Sequence, residues 1–332
     1  MCIALLSTAH PSYPLIIVNN RDEYIRRPTS PADWWPSPES NILGGRDLAR
    51  EPHGTWMGVT REGKVAVLTN YRENTSEQAI GAKSRGAIVC SWLGAPSDEK
   101  RSTREYVQDM VASPTARNVG GFSLLCGYIN EPLAIVSNRS STMDQIAWVA
   151  TKSGQTLGLS NTVFEDRTWP KILDGERLMN EAIATHVQAG EDEDALITRF
   201  LDMLSTNTLP KLSEDATAED YLPYFRRSIF IPVLGAHEKP PMPAGTVSPA
   251  CADSTHTNGA AGGGHHAMDL SFLHGPYGTQ QQTVVLVSDD GRVRYFERTL
   301  YDNDANVIPI GQGDRSFEFH VGQHSNEADR VS

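Results

Sequence analysis

The chain is poor in basic residues, in cysteine and in uninterrupted apolar sequence, and each shortage excludes something. Its 29 Lys and Arg stand against 41 Asp and Glu, a formal charge of −12, so it lacks the basic face that nucleic-acid binding needs. The same balance argues against adhesion to an anionic membrane through bulk charge. Its 4 cysteines, Cys2, Cys90, Cys126 and Cys251, are widely separated with no CxxC pair, which signals neither a zinc site nor a disulfide framework and suits a reducing compartment. No apolar run approaches the ~18 residues of a membrane span. The amino-terminal run is too short for a secretion signal and has no basic flank. The expectation is a cytoplasmic protein with no integral membrane segment and no bound metal or cofactor.

What is present is enough for a sizeable core: 332 residues, 39% hydrophobic and 21% charged, read here as a single domain over 1–332. The opening is the most informative stretch. Met1-Cys2-Ile3-Ala4-Leu5-Leu6 is followed by Leu15-Ile16-Ile17-Val18, which runs directly into Asn19-Asn20-Arg21-Asp22-Glu23. If Met1 is removed, Cys2 carries a free α-amine beside its thiol. A thiol titrates near ~8.5 and an α-amine near ~7.7–8.0, so the two are matched for proton transfer. A nucleophile and its base would then be one residue. The competing reading is that Cys2 is a small apolar strand residue.

Residues 26–41 are polar and proline-rich and read as a surface connection, with Trp34 and Trp35 anchoring it on the core. Residues 54–59 and 64–70 read as strands joined by a turn at Glu62-Gly63. Gly44-Gly45 lacks the GxGxxG spacing and a following helix, so it is a weak phosphate signal. Residues 84–93 and 98–111 have helical periodicity. Strands return at 122–129, 133–137, 146–150 and 156–160, a spacing typical of antiparallel pairing. Pro170 opens a helix, and residues 191–204 form a second whose four leading acids face the positive end of its dipole. Residues 228–233 read as a strand. Residues 235–275, rich in Pro, Gly, Ala and His, read as a disordered insertion, whose histidines have no partners at metal-binding spacing. A hairpin follows over 282–298 about Asp290-Gly291, then a strand at 316–321 and a polar tail over 322–332. Without βαβ alternation, this is an α+β chain with mainly antiparallel sheet. Strands apolar at consecutive positions suggest burial on both faces, which a four-layer αββα sandwich would satisfy.

Asn20-Arg21-Asp22-Glu23, Arg27-Pro28-Thr29, Gly44-Gly45-Arg46-Asp47, Gly54-Thr55-Trp56-Met57-Gly58, Leu68-Thr69-Asn70-Tyr71, Gly158-Leu159-Ser160-Asn161, Trp169-Pro170-Lys171 and Tyr277-Gly278-Thr279 occur in that order. In this collinear set the chain resembles the NRDE family, from Met1 to about Arg298. The resemblance implies a cytoplasmic protein associated with the Golgi or mitochondria, linked to Golgi organisation, secretion, and lipid (acyl-CoA) and haem handling. Where the family commonly has Tyr-Gly-Thr-Arg, this chain has Gln280.

A second resemblance is to N-terminal nucleophile hydrolases of the choloylglycine and penicillin-acylase type, which share the αββα sandwich. It implies catalytic roles for Cys2, Arg21, Asp22, Asn70 and Asn161. Cys2 would attack an amide or thioester carbonyl, Asp22 would orient the α-ammonium, and Arg21 would hold the thiolate or a substrate carboxylate. Asn70 and Asn161 would donate to the oxyanion. Side chains alternate along a strand, so Arg21 and Asp22 can both face Cys2 only where the strand ends or bulges. Asn20, Glu23, Arg46 and Gln280 are candidate ligand-binding residues, with Glu23 expected to pair with Arg26 or Arg46. Against these stand structural readings: a buried Arg–carboxylate network over residues 20–23, and turn caps at Asn70 and Asn161. Three functions remain open: a hydrolase, a non-hydrolytic carrier of acyl-CoA or haem, and a secretory-pathway interaction protein.

Overall fold

A computed structural model describes residues 2–50, 53–71, 85–95, 101–113, 119–213, 215–235 and 275–322. The first sheet contains β1 (Ile3–Ser7), β2 (Leu15–Tyr24), β10 (Thr156–Leu159), β11 (Tyr277–Val287), β12 (Arg292–Thr299) and β13 (Asp314–His320), in the order β10-β1-β2-β11-β12-β13. The second contains β3 (Thr29–Trp34), β4 (Ile42–Asp47), β5 (Met57–Thr60), β6 (Lys64–Asn70), β7 (Phe122–Tyr128), β8 (Leu133–Ser137) and β9 (Ala147–Val149), in sequence order. Both sheets are antiparallel.

The apolar runs explain the layering. Every residue of β1 and β11 is buried, which a sheet can achieve only if both faces are covered. Ala4, Leu6, Ile17 and Val285 of the first sheet pack against Leu43, Val59, Val65 and Leu125 of the second. The alternate residues Ile3, Leu5, Ile16 and Val284 pack outward on Met179, Ile183, Leu196 and Phe200, which belong to α3 (Pro170–Ala189) and α4 (Glu193–Leu204). On the far side, Ala66, Leu68, Leu124 and Cys126 meet Val89, Trp92, Tyr106 and Val107, carried by α1 (Gly86–Leu93) and α2 (Thr103–Ala112). The protein is therefore a four-layer αββα sandwich, with a fifth short helix, α5 (Ala218–Tyr221), beside it.

Local chemistry places the helix ends. Pro170 occupies the first turn of α3, and Gly190 closes it in the left-handed region at φ +64°. Asp192 caps α4 by accepting from the Ala195 N–H at 2.9 Å, with Glu193 and Asp194 in its first turn. Ser102 and Glu105 form a capping box on α2.

Three expectations are corrected. The strand end at Arg21 and Asp22, one of the two possibilities that would let both face Cys2, does not occur: β2 continues through Asn19-Asn20-Arg21-Asp22-Glu23 to Tyr24, since β11 pairs with it along that whole length. The proline-rich segment 26–41 is not all connection, because it contains the edge strand β3, where a proline is tolerated. Residues 228–233 form no strand. The segment's backbone hydrogen bonds to β11 run to Thr279, beside an isolated bridge from Leu234 to Tyr277, and β12 takes over that side of β11 from Gln281 onward. The expected insertion over 235–275 falls almost wholly outside the described residues, as does the tail after Gly322. No described helix is long and apolar enough to cross a membrane.

Candidate active site

Cys2, Arg21, Asp22 and Glu23 from the first sheet face Asp47, Thr55, Trp56, Leu68 and Asn70 from the second across a cavity of about 220 Å³. Arg27, Arg50, Arg85 and Gly86 complete its lining. The β1–β2 register, with Ile3 opposite Asn20, brings Cys2 beside Arg21. Ala4 and Leu6 point between the sheets, so by strand parity Cys2 does too. Parity alone would turn Asp22 away. The register of β11 slips between Thr279 and Gln281, opposite Asp22 and Arg21. Both Arg21 and Asp22 line the cavity with Cys2, Asp22 presenting its backbone carbonyl to the thiol while its carboxylate bonds Thr279, the residue paired with it.

Cys2 is 7% exposed. Its Sγ lies 3.8 Å from the Asp22 carbonyl oxygen, to which it donates. Its own carbonyl accepts from Ser160 Oγ at 2.7 Å and from Lys171 Nζ at 3.4 Å. Burial pushes the thiol pKa up, and the Asp22 charge adds to that. Asp22 accepts from Thr279 Oγ1 at 2.7 Å through Oδ1, and its carbonyl accepts from the Tyr277 hydroxyl at 3.1 Å. Burial raises its carboxyl pKa, while Lys171 acts against the rise.

Arg21 lies over the Trp56 ring, its Cζ 4.5 Å from the ring centre, and donates to Gln280 Oε1. Gln280 in turn donates to the Ile25 carbonyl at 3.1 Å, so its amide orients the Arg21 guanidinium. At the rim, Arg27 makes a two-pronged contact with Asp47 at 2.7 and 3.0 Å. Burial alone would raise the Asp47 carboxyl, but Arg27 holds it below the ordinary carboxylate range. Arg85 is lowered first by burial and further by Arg27 and Arg50 nearby, a crowding of guanidinium groups that favours an anionic neighbour.

The candidate residues separate into those at the cavity and those behind it. Cys2, Arg21, Asp22, Glu23 and Asn70 line it. Asn161 supports its wall: its amide donates to the Asn70 carbonyl, and Thr69 Oγ1 donates to the Ser160 carbonyl at 2.8 Å. These bonds tie the end of β6 to the segment after β10. Asn20 is not at the cavity. Parity turns it outward, where its amide donates to Leu204 O at 2.8 Å and Ile229 O at 2.9 Å. Arg46 is also elsewhere, stacked 4.8 Å over Trp35. Gln280 touches Arg21 and is absent from the lining. Glu23 accepts from the Tyr24 N–H at 2.9 Å, and the cations that feel its charge are Arg21, Arg27 and Arg85, where Arg26 or Arg46 was expected.

The family model described as Transport and Golgi organisation 2 matches residues 1–302. The chain belongs to the Transport and Golgi organisation 2 family. Among its relatives, the mouse Transport and Golgi organization 2 homolog is 27% identical, covering 89% of this chain and 90% of that protein. The human homolog is 27% identical over 93% of each chain. Among solved structures, the Caenorhabditis elegans N-acylethanolamine-hydrolyzing acid amidase ortholog aligns with a TM-score of 0.35 at 13% identity, over 68% of this chain and 98% of that one. The C2A mutant of Clostridium perfringens conjugated bile acid hydrolase aligns with a TM-score of 0.37 at 10% identity, over 99% and 100% respectively.

Within this member of the Transport and Golgi organisation 2 family, Lys171 and Ser160 both reach the Cys2 carbonyl, a contact that the motifs carrying them do not announce. The available signal was electrostatic: a lysine in the first turn of a helix opposes the dipole, which makes sense where a buried carboxylate waits for it. Among the described residues, no group of three His, Cys, Asp or Glu side chains is placed to hold a metal.

Proposed function

We propose that the protein is an N-terminal cysteine hydrolase acting on an amide or thioester, with Cys2 as nucleophile once Met1 is removed. The observation that supports this most directly is the convergence of Cys2, Arg21, Asp22 and Asn70 on one cavity between the ends of the two sheets. Burial keeps the thiol protonated, so it needs a base, and the α-amine of the same residue is within reach by covalent geometry.

In the first step the α-amine takes the thiol proton and Sγ bonds to the substrate carbonyl carbon, whose oxygen becomes an oxyanion. The Asn70 side chain, on the opposite wall, is the candidate donor to it, and one well-placed donor is worth about 2.7–4 kcal/mol. The C–N or C–S bond then breaks, and the leaving amine or thiolate takes the proton from the α-ammonium. Water attacks the Cys2 thioester with the amine again accepting a proton, releasing a carboxylic acid and the free thiol. Asp22 orients the ammonium throughout, and Arg21, fixed by Trp56 and Gln280, faces the reacting carbonyl. Arg27, Arg50 and Arg85 at the rim suit an anionic part of the substrate.

Haem fits this cavity less well: among the described residues of its lining, Cys2 alone carries a thiol, imidazole or thioether that could ligate iron, and burial disfavours the thiolate that ligation requires. Intact-mass measurement of the purified protein tests the proposal first, since retention of Met1 removes the free-amine mechanism. With Met1 gone, Cys2→Ser and Cys2→Ala are expected to abolish turnover of acyl-amide and acyl-thioester probes. Unchanged turnover in either variant refutes the assignment.

A further inference from the structure

Lys171 is fully buried in the first turn of α3, a poor place for a cation on two counts. Burial opposes its charge and lowers its pKa, and the adjoining helix end already carries positive partial charge. What favours the ammonium there is the Cys2 site. Nζ donates to the Cys2 carbonyl at 3.4 Å, and Asp22 is the larger of the two charges that support the protonated form. The relation is reciprocal, because Lys171 is among the charges that oppose the rise that burial imposes on the Asp22 carboxyl. Asp22 also accepts from Thr279, a neutral hydroxyl, which cannot replace a counter-ion. The Cys2 carbonyl is held from a second direction by Ser160 Oγ at 2.7 Å.

We propose that Lys171 is a positioning residue of the Cys2 site, acting as counter-ion to the Asp22 carboxylate and, with Ser160, clamping the Cys2 carbonyl so that thiol and α-amine face the cavity in one orientation. Its kinetic consequence rests on the hydrolase reading, whereas the coupling between Lys171 and Asp22 does not. Asp22 in turn is the acceptor for the Cys2 ammonium, so loss of the lysine charge reaches the chemistry through Asp22. Lys171 touches no substrate atom in this scheme.

The test uses Lys171→Met, which keeps the length of the chain without its charge, in the full-length protein. With Asp carboxyl carbons labelled with ¹³C, the Asp22 signal is identified by its disappearance in Asp22→Asn. Its titration midpoint is expected to rise by about 1–3 units in Lys171→Met, the range for a lost opposite charge at close quarters. An unmoved midpoint overturns the proposal. Lys171→Gln, polar and neutral, is the second variant should the methionine protein fail to fold, with the same rise expected.

In turnover of an acyl-amide probe, the acid limb of kcat/KM should move to higher pH with KM nearly constant, and Lys171→Arg should restore the limb. A uniform loss at all pH values with the limb in place would indicate a merely structural lysine and overturn the positioning role. The double variant Asp22→Asn/Lys171→Met should lose no more activity than Asp22→Asn alone, whereas additive losses contradict the coupling. If Cys2→Ser leaves turnover intact while the Asp22 midpoint still moves, the hydrolase reading fails and the Lys171–Asp22 coupling stands.

Discussion

Asn20→Ala separates a structural from a ligand-binding role within the most recognisable motif of the chain. Asn20 is wholly buried, and its amide nitrogen bridges the carbonyls of Leu204 and Ile229 at 2.8 and 2.9 Å. Leu204 is the last residue of α4, so its carbonyl is one of the groups that a helix leaves without an internal partner. Ile229 lies in the segment that forms no strand, where a backbone carbonyl has few other donors. Alanine would leave both oxygens buried and unbonded. At about 1–3 kcal/mol for each unsatisfied group, the expected destabilisation is about 2–6 kcal/mol, read as a lower urea midpoint with unchanged slope. The rate at which iodoacetamide modifies Cys2 in the folded protein should be unaffected, because Asn20 faces away from the cavity. A stability loss below about 1 kcal/mol together with an altered Cys2 rate would refute the outward placement of this residue.

Two further expectations concern pH. The Ser12 N–H donates to His10 Nδ1 at 3.1 Å, so His10 carries its proton on Nε2 and donates to His186 Nδ1 at 3.1 Å, and His186 Nε2 donates to Asp192 O at 2.9 Å. Burial and His186 lower the His10 pKa below its ordinary value of 6.5, so the unfolded chain binds more protons. Stability should therefore fall as pH drops below about 6.5. His10→Gln should flatten that slope in acid unfolding curves, and an unchanged slope would exclude His10 as its source. Glu297 shows the opposite sign. Buried in β12 with Oε1 accepting from the Ala32 N–H at 2.7 Å, it is raised from 4.5 to about 7, so stability should decline as pH rises between those values. At 1.36 kcal/mol per unit, Glu297→Gln should recover about 3 kcal/mol at pH 8, measured by urea unfolding at pH 4 and pH 8. An equal effect at both pH values would contradict the assignment.

Much of the sandwich was legible in one dimension because burial on both faces of a strand leaves a direct trace. Residues 3–6 and 15–18 are apolar at successive positions, which a half-exposed strand would not be. Pro170 and Gly190 bracket α3 as local chemistry requires. Residues 228–233 misled for the same reason, being β-branched and aromatic in composition. A strand needs a vacant neighbour for its hydrogen bonds, and β11 already has β2 on one side and β12 on the other from Gln281 onward.

By itself the sequence determined which residues were candidates: a thiol at position 2, a polar run at the end of an apolar one, and asparagines at strand ends. Tertiary structure decided which of them meet. Strand parity sends Asn20 to the helices and Arg21 to the cavity, and β11, a strand more than two hundred residues away in sequence, supplies the Thr279 hydroxyl that holds the Asp22 carboxylate. Lys171 reaches the Cys2 carbonyl only because α3 packs across β1 and β10. Local preferences are written in neighbouring residues, whereas the direction of a side chain depends on pairing partners that chain order does not reveal.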